Sequence, residues 1–426
     1  MNKRTKTALR RWCLYGWTFA KWTMAASAIG VVCGLIGTMF HFGVHEVTAF
    51  RGTHPWVLYL LPLAGFVIVS FYKLTETDGL GTDDIIDAVH EGKRLPILLL
   101  PAIFFGTVLT HLCGGSAGRE GAALQMGGTI GQCMGRTFRL DDRDLRVATL
   151  AGMAAFFSAL FGTPLAATVF AIMVISIGVL YHVALYPSLL AALVAYGVSV
   201  RLGVEPTRFT VAVPDQSVGM FVRVAALGVL CALVSILFCK LMHGAGHLMK
   251  RIKNPWLRVI CGGFAVIALT WIFGTDYNGA GMDIVTRAIE QETVAVPWAF
   301  LLKLVFTAVT LAAGFKGGEV VPSFFVGATF GCAVSPLLGL PVGFGAAIGL
   351  AAVFCGVTNC PVASTLLAVE LFGAEGMLYF ALACCLSYML SGYQGLYSSQ
   401  TILYSKLKAQ FINVRTNAYH AGEKTE

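Results

Sequence analysis

The residues best suited to chemistry lie in one five-residue segment, Gly118-Arg119-Glu120-Gly121-Ala122. The segment places an arginine and a glutamate among glycines, inside sequence that is otherwise apolar. An ionisable side chain within a bilayer span is costly, so it indicates a functional site. Glycines let the backbone approach a ligand, and the free amides of a helix N-terminus bind anions. We therefore expect Glu120, at a helix start, to exchange places with a bound anion.

The composition indicates that this segment belongs to an integral membrane protein. Of the 426 residues, 57% are hydrophobic and only 12% are charged, and the mean hydropathy is +0.76. A soluble domain usually carries about a quarter charged residues. The 48 glycines also fit a polytopic helical protein, because small residues let membrane helices pack closely.

Basic residues at both ends predict the orientation in the membrane. The start, MNKRTKTALRRW, precedes an apolar run from Trp22 to Val44. That run exceeds the roughly 7–15 residues of a signal-peptide core, so we interpret it as a retained first span. The positive-inside rule then places the N-terminus in the cytoplasm. After Tyr404 the chain is again basic, through Lys406, Lys408, Arg415 and Lys424. We expect a multi-pass protein of a bacterial inner membrane with both termini cytoplasmic, and no binding of nucleic acid.

The sequence gives no indication of an enzyme, a metal or a cofactor. The 12 cysteines include no CxxC pair and are expected to be small buried hydrophobes. His45-Glu46 and His90-Glu91 lack the second histidine of a zinc protease motif. The apolar runs also show no pairing of a nucleophile with a base.

An internal repeat relates the two halves of the chain. Asp78–Asp83 resembles Asn278–Asp283, and Gly118-Arg119-Glu120 resembles Gly317-Gly318-Glu319. A third match joins the region of Pro164 to that of Pro361. Because the three matches come in the same order at nearly one offset, we predict that the chain consists of two homologous halves.

The repeat leads to a predicted domain organisation. We expect a basic N-terminal tail (1–22), a first membrane repeat (23–200), a linker (201–214), a second membrane repeat (215–405) and a C-terminal tail (406–426). Many apolar segments are shorter than the roughly 20 residues of a full span, as in transporters built from inverted repeats with broken helices. Inverted halves would bring both copies of each glycine-rich break to a common midplane. The positive N-terminal ends of helices would converge there and favour an anion.

These segments resemble the CLC family of chloride channels and anion/proton antiporters. The resemblance rests on Gly79-Leu80-Gly81, on Gly118-Arg119-Glu120-Gly121, on Gly318-Glu319-Val320-Val321-Pro322, and on Tyr397 in Gly395-Leu396-Tyr397-Ser398. It extends from about residue 25 to 405. It implies an all-α membrane fold, a CLC-like inverted-repeat bundle of many unequal, partly broken helices. It also implies a homodimer and a tyrosine hydroxyl that donates to the central anion.

The departures from the family pattern resemble its fluoride/proton antiporter branch. Leu80 stands where the common motif has serine, and Glu319 is introduced into the third motif. The helix after Pro164 lacks the inner proton-relay glutamate of the chloride/proton members. The fluoride branch itself would have methionine at Leu80, and threonine at Ala122 and at Val321.

Each predicted role has a structural alternative. Glu120 is the expected transport gate, or else a structural glutamate paired with Arg119. Glu319 is the expected second proton group, or else a carboxylate that caps a helix. Tyr397 is the expected hydroxyl donor to the anion, or else an anchor at the membrane–water interface. Glu370 is interpreted as a charge satisfied at a helix end.

The function expected from the residues and the resemblance is exchange of small anions for protons, with export of fluoride. A chloride or fluoride channel, or a chloride/proton exchanger on the same fold, is the alternative. The expected partners are fluoride or chloride, protons and the lipid bilayer. The residues expected to bind the anion are Gly79, Leu80, Gly81, Gly118, Arg119, Gly121, Ala122, Gly318, Val320, Val321 and Tyr397.

Overall fold

A computed structural model describes residues 3–293, 296–408 and 410–417. Of residues 3–10, only the backbone is described. The last part of the predicted C-terminal tail, including Lys424, lies outside the described residues.

The first half of the chain folds into a series of helices of very unequal length. They are α1 (Lys3–Thr53), α2 (Leu61–Leu74), α3 (Thr82–Glu91), α4 (Leu99–Leu112), α5 (Glu120–Thr137), α6 (Asp142–Phe161), α7 (Pro164–Met173) and α8 (Leu185–Arg201). Short 3-10 helices at Pro55–Leu60 and His182–Ala184 precede α2 and α8. The first helix begins within the predicted N-terminal tail, because residues 3–22 contain no proline or turn signal that would separate them from the first span.

The second half repeats this order. Its helices are α9 (Val218–Met249), α10 (Pro255–Phe273), α11 (Met282–Glu290), α12 (Ala299–Ala313), α13 (Val320–Leu338), α14 (Val342–Thr358), α15 (Pro361–Phe372) and α16 (Met377–Leu390). Within the described residues, seven helices are long and apolar enough to cross a membrane. Several others are short, as the broken spans of the sequence predicted, and the all-α membrane fold is confirmed.

Matching pairs of helices pack through glycines in both halves. In the α5–α6 contact, a Cβ added to Gly152 would lie 2.0 Å from the Gly127 carbonyl oxygen. In the α13–α14 contact, a Cβ added to Gly349 would lie 2.2 Å from the Gly327 carbonyl oxygen. Neither pair of helices could approach so closely with any side chain at these positions. These glycines therefore bring α5 into close contact with α6, and α13 into close contact with α14.

A small sheet, absent from our expectations, joins the C-terminal segment to the end of α7. Strand β1 (Ser176–Ile177) pairs in parallel with β2 (Thr401–Tyr404), which pairs in antiparallel fashion with β3 (Phe411–Arg415). Residues 411–415 of the predicted tail are therefore ordered against the membrane domain. The alternation in Phe411–Arg415 is short, and the partner strand is far away in sequence, so no local pattern indicated this pairing.

Candidate functional site

Two glycine-rich segments meet at the centre of the molecule. The Gly118 amide donates to the Gly318 carbonyl oxygen at 2.7 Å, and the Gly318 amide donates to the Gly118 carbonyl oxygen at 2.6 Å. This reciprocal antiparallel bridge lies immediately before α5 and α13. A Cβ on Gly318 would lie 2.3 Å from the Gly121 amide nitrogen, so only glycine allows the contact. The two helix N-termini consequently lie side by side, as related inverted halves require.

The bridge corrects the predicted correspondence of the two segments by one residue. The sequence comparison aligned Glu120 with Glu319, whereas the structure pairs Gly118 with Gly318 and starts the helices at Glu120 and Val320. Arg119 and Glu319 are the equivalent N-cap residues. The sequence alignment matched the two carboxylates, but the backbone hydrogen bonds follow the helix starts. Glu120 and Glu319 are therefore not symmetry equivalents, although both lie near the bridge.

Glu120 is 1% exposed and is folded back onto the N-terminus of its own helix. Its Oε2 atom accepts the Arg119 amide at 2.9 Å, and its Oε1 atom lies 3.4 Å from Arg119 Nε. The guanidinium also contacts His41 Nδ1 at 3.1 Å. The carboxylate thus takes the position of an anion at a helix start, and it is also paired with Arg119. The position expected of a gate and the ion pair with Arg119 therefore coincide, and the gating role of Glu120 stays a prediction.

A cavity of about 280 Å³ brings the other predicted motifs together. Of the predicted site residues, those that line it are Gly79, Leu80, Gly81, Gly121, Gly318, Glu319 and Tyr397. The other predicted site residues do not line it: Gly118, Arg119, Glu120, Ala122, Val320 and Val321. The last two and Ala122 are buried in the core.

Tyr397 points an unused donor into this cavity. Its side chain is 3% exposed, and its hydroxyl has no hydrogen-bond partner within the described residues. A buried hydroxyl without a partner costs free energy, so the site favours a bound acceptor. The loop that carries Tyr397 is fixed by two hydrogen bonds, from the Leu396 amide to the Val357 carbonyl (2.9 Å) and from the Ser399 amide to Asp83 Oδ1 (3.0 Å).

Glu319 also faces the cavity. It is the N-cap residue of α13, yet its side chain makes no capping hydrogen bond. No ion pair of its carboxylate is found in the described part of the chain. The structure therefore does not show Glu319 acting as a helix cap.

The structure adds lining residues that the sequence reasoning did not assign to the site. Asp84 Oδ2 accepts the Gly81 amide at 2.9 Å and caps α3. Asp83 secures the Tyr397 loop, as described above. Lys316 Nζ lies 4.1 Å from the centre of the Tyr72 ring. The signal for the two aspartates was their position directly after the first glycine motif.

The second copy of that glycine motif lies elsewhere. Gly281 and Met282 line a separate cavity of about 370 Å³ together with Arg51 and Arg287. We expected both copies of each glycine-rich break to meet at a common midplane. For the loops at Gly79–Gly81 and Gly279–Gly281 that expectation is wrong, because they line different cavities. Lys303 Nζ donates to the Gly279 carbonyl oxygen at 2.6 Å, so this copy of the loop is held by a buried cation.

Comparison with known proteins identifies the family. The family model described as voltage gated chloride channel matches residues 63–392. The chain belongs to this CLC family. A curated relative from Pseudomonas syringae pv. tomato, named chloride/fluoride channel protein, is 39% identical over 399 residues, which are 91% of this chain and 88% of the relative.

Solved structures agree with this assignment. A CLC-type fluoride/proton antiporter superposes on the CLC chain with a TM-score of 0.88 and 32% identity, over 91% of this chain and 99% of the other. A cyanobacterial Cl⁻/H⁺ antiporter gives a TM-score of 0.76 at 19% identity, over 87% and 94% of the two chains. That second likeness shows the fold alone. The resemblance to the CLC family and its fluoride branch is confirmed.

One predicted accessory residue of the CLC protein takes the expected place. Glu370 accepts the amides of Leu165 and Ala166 at 3.1 and 2.8 Å. It therefore caps α7 from the neighbouring half, as a charge satisfied at a helix end. The N-cap residue of α7, Thr163, makes no side-chain capping hydrogen bond.

Proposed function

We propose that this protein is a proton-coupled antiporter that exports fluoride. The observation that carries the proposal is the cavity in which the unpartnered Tyr397 hydroxyl and the Glu319 carboxylate lie beside the helix N-terminus occupied by Glu120. The site therefore offers donors for an anion together with two groups that can bind a proton.

Glu120 would couple the two ions by competition. When ionised, its carboxylate holds the amides at the start of α5, and no anion can bind there. When protonated, the side chain is neutral, is more easily desolvated and leaves the amides free. Each anion that passes therefore requires a proton on Glu120.

Glu319 would add a second requirement at the cavity. Protonated, its carboxyl group can donate a hydrogen bond to the anion. Ionised, it repels the anion across a short distance of low dielectric constant. Binding of the anion and protonation of Glu319 consequently favour each other.

The donors present suit fluoride better than chloride. Leu80 supplies no hydroxyl at the cavity wall, whereas Tyr397 and Tyr72 each line the cavity with a hydroxyl that has no partner among the described residues. These two hydroxyls and the backbone amides are the neutral donors. A small anion with strong hydrogen bonds gains most from few, well-placed donors. The names of the Pseudomonas relative and of the fluoride/proton antiporter point the same way.

The ion selectivity can be tested by efflux from proteoliposomes loaded with equal concentrations of fluoride and chloride. We expect fluoride to leave faster, with proton flux of the opposite direction recorded in parallel. Chloride efflux that equals or exceeds fluoride efflux would contradict the fluoride preference. It would favour the chloride/proton exchanger or the chloride channel.

We also propose a homodimer in a bacterial inner membrane with both termini in the cytoplasm. Supporting the orientation, Lys21 pairs with Asp144 at the start of α6, and Arg415 Nη2 lies 3.4 Å from Asp87 near the end of α3. Lys21 of α1 and Arg415 of β3 therefore lie on the same face, where α3 ends and α6 begins. Fusion of green fluorescent protein to either terminus should give fluorescent cells, and a dark fusion at one end would contradict this topology.

A further inference from the structure

A second polar cavity, of about 120 Å³, lies where α3 and α5 end and α6 begins. Three arginines line it: Arg94 just after α3, Arg136 in the last turn of α5, and Arg146 in the second turn of α6. Its lining shares no residue with the cavity that holds Tyr397. Whatever binds there does not occupy the transport site.

The three arginines are not neutralised by the protein. No carboxylate within the described residues lies within 4.0 Å of any of their nitrogens. Asp142 is the one acidic residue that lines the cavity. The Nε atom of Arg146 is buried and has no hydrogen-bond partner in the part of the chain that the structure describes. A buried donor without a hydrogen bond raises the free energy of the folded protein. An acceptor from outside the protein, bound to this nitrogen, would remove that penalty.

The position of Arg136 is fixed by its neighbours. Its Nη2 atom donates to Gln132 Oε1 at 2.7 Å. Gln132 is 3% exposed, donates to the Lys93 carbonyl oxygen at 2.8 Å and accepts the Leu95 amide at 2.8 Å. The guanidinium is therefore held at the cavity by a buried amide. Three positive charges facing one carboxylate leave a net attraction for an anion.

The chemistry of the donors selects the kind of anion. Guanidinium groups bind phosphate oxygens through paired hydrogen bonds and are favoured wherever such recognition occurs. Several guanidiniums around one cavity suit an anion with several oxygens better than a monatomic halide. The volume holds a phosphate group, and any larger substituent would extend outside.

The position of the cavity fits a membrane boundary. The Lys21–Asp144 pair places it on the face that carries the N-terminal helix. Exposed aromatic side chains flank this face, Trp17 on α1 and Phe138 after α5. Aromatic residues of this kind mark the level of the lipid head groups, where basic pockets between helices bind anionic lipids.

We propose that this arginine cavity binds a phosphate group, supplied by the head group of an anionic phospholipid or by inorganic phosphate. The phosphate oxygens accept from Arg94, Arg136 and Arg146, including the unpartnered Nε. The bound group joins the ends of α3 and α5 to the start of α6. Its occupancy therefore stabilises the fold and does not depend on which ion the protein transports.

The test is thermal denaturation of the full-length protein in a neutral detergent. One comparison adds phosphatidylglycerol, with phosphatidylcholine of the same acyl chains as the control. The other adds sodium phosphate, with sodium chloride at equal ionic strength as the control. Phosphatidylglycerol should raise Tm and phosphatidylcholine should not if a lipid head group is the source. Stabilisation by phosphate alone identifies the free ion as the source, and both results support the site.

Two matched double variants separate the cavity from general surface charge. Arg94→Gln with Arg136→Gln removes two exposed arginines from the lining, whereas Arg139→Gln with Arg143→Gln removes two exposed arginines outside it. A basic residue near an anionic surface contributes about a fivefold factor in affinity. We expect the lining variant to need about 25-fold more ligand for the same rise in Tm, and the other variant to respond like the wild type.

Two results would overturn the proposal. One is an equal loss of response in both double variants, which would mean that only the total charge matters. The other is no stabilisation of the wild type by phosphatidylglycerol or by phosphate. Because the four arginines are exposed, all variants should fold. Elution of each variant at the wild-type volume in gel filtration checks this.

Discussion

Tyr397 carries a hydroxyl that no other part of the described protein uses. The side chain is buried at the cavity wall, and its position is fixed by the backbone on both sides. Because the hydroxyl is already held in place, binding of an anion causes little further loss of conformational entropy. At the scale of single residues, it is the clearest sign that the cavity is built for an acceptor.

Replacement of this hydroxyl should weaken fluoride binding without loss of stability. In Tyr397→Phe we expect fluoride affinity to fall about tenfold or more, because a hydrogen bond to a charged group contributes roughly 1.5–3 kcal/mol. Isothermal titration calorimetry measures the affinity, and Tm without fluoride should equal or exceed that of the wild type, because the variant buries no unpartnered hydroxyl. Unchanged affinity would show that Tyr397 does not donate to the anion.

Tyr393→Phe is the matched control. The Tyr393 hydroxyl bonds to Ser405 Oγ at 2.7 Å near the C-terminal sheet and lies outside the cavity lining. This variant should lower Tm slightly and leave fluoride affinity unchanged. The pair of variants therefore separates a ligand contact from a structural one.

Some residue-scale features could be predicted from the sequence and others could not. Glu319, Leu80 and Tyr397 were expected near one anion, and the structure places all three at one cavity. Their roles in transport stay predictions. Asp83 was missed because its effect depends on a contact with Ser399, which is distant in the chain. Its position directly after the first glycine motif indicates that it lies near the site, but no local pattern reveals the contact with Ser399.

At the scale of elements, the contact between the two glycine segments decides whether the site can form. A Cβ on Gly318 would meet the Gly121 backbone, which cannot move aside as a flexible side chain could. Gly81, at the start of α3, is different, because a Cβ there would meet no atom within 4 Å. The two glycines therefore allow a direct comparison.

We expect Gly318→Ala to abolish the folded site, with a loss of stability of about 1–3 kcal/mol or more from overpacking. Gly81→Ala should keep the wild-type Tm, and its new methyl group should only narrow the cavity. Thermal denaturation of both purified variants makes the comparison. Equal Tm values for the two variants would mean that the Gly118–Gly318 contact is dispensable.

The link between α3 and the Tyr397 loop is the second element-scale prediction. Asp83→Ala removes the acceptor for the Ser399 amide and should weaken fluoride binding about fivefold, the effect of a hydrogen bond worth about 1 kcal/mol. Asp83→Asn keeps an acceptor oxygen and should bind more tightly than Asp83→Ala. Calorimetry of both variants measures the difference.

A double variant tests whether Asp83 acts through Tyr397. If it only positions the hydroxyl, Asp83→Ala should have little further effect once Tyr397→Phe has removed that hydroxyl. Contacting residues show such non-additive effects, whereas independent sites add. Fully additive losses would show that Asp83 influences the anion by another route.

The order of elements across the whole molecule was predictable to a large extent. Three weak sequence matches indicated two halves, and the helix order of residues 3–201 recurs over 218–390. The sequence could not reveal that Glu319 corresponds to Arg119, because backbone register depends on where each helix begins. It also could not reveal that the two Gly-x-Gly loops lie at different cavities, since that depends on how the halves diverged.

Two carboxylates that are not symmetry equivalents suit a coupled exchanger. Glu120 closes the helix start, whereas Glu319 faces the cavity. In the proposed function, a proton would be bound at two places with different access to the anion. A simple channel would need neither group to change charge during each cycle.

Proton movement driven by a fluoride gradient is the most direct test of the central claim. Proteoliposomes loaded with fluoride, diluted into fluoride-free medium of low buffering capacity, are clamped at zero voltage with potassium and valinomycin. Because exchange draws protons inward as fluoride leaves, we predict that the external pH rises. In Glu120→Gln, the pH should stay constant while any remaining fluoride efflux continues. Fluoride efflux from the wild-type protein with no rise in external pH would contradict the antiporter and leave a passive channel.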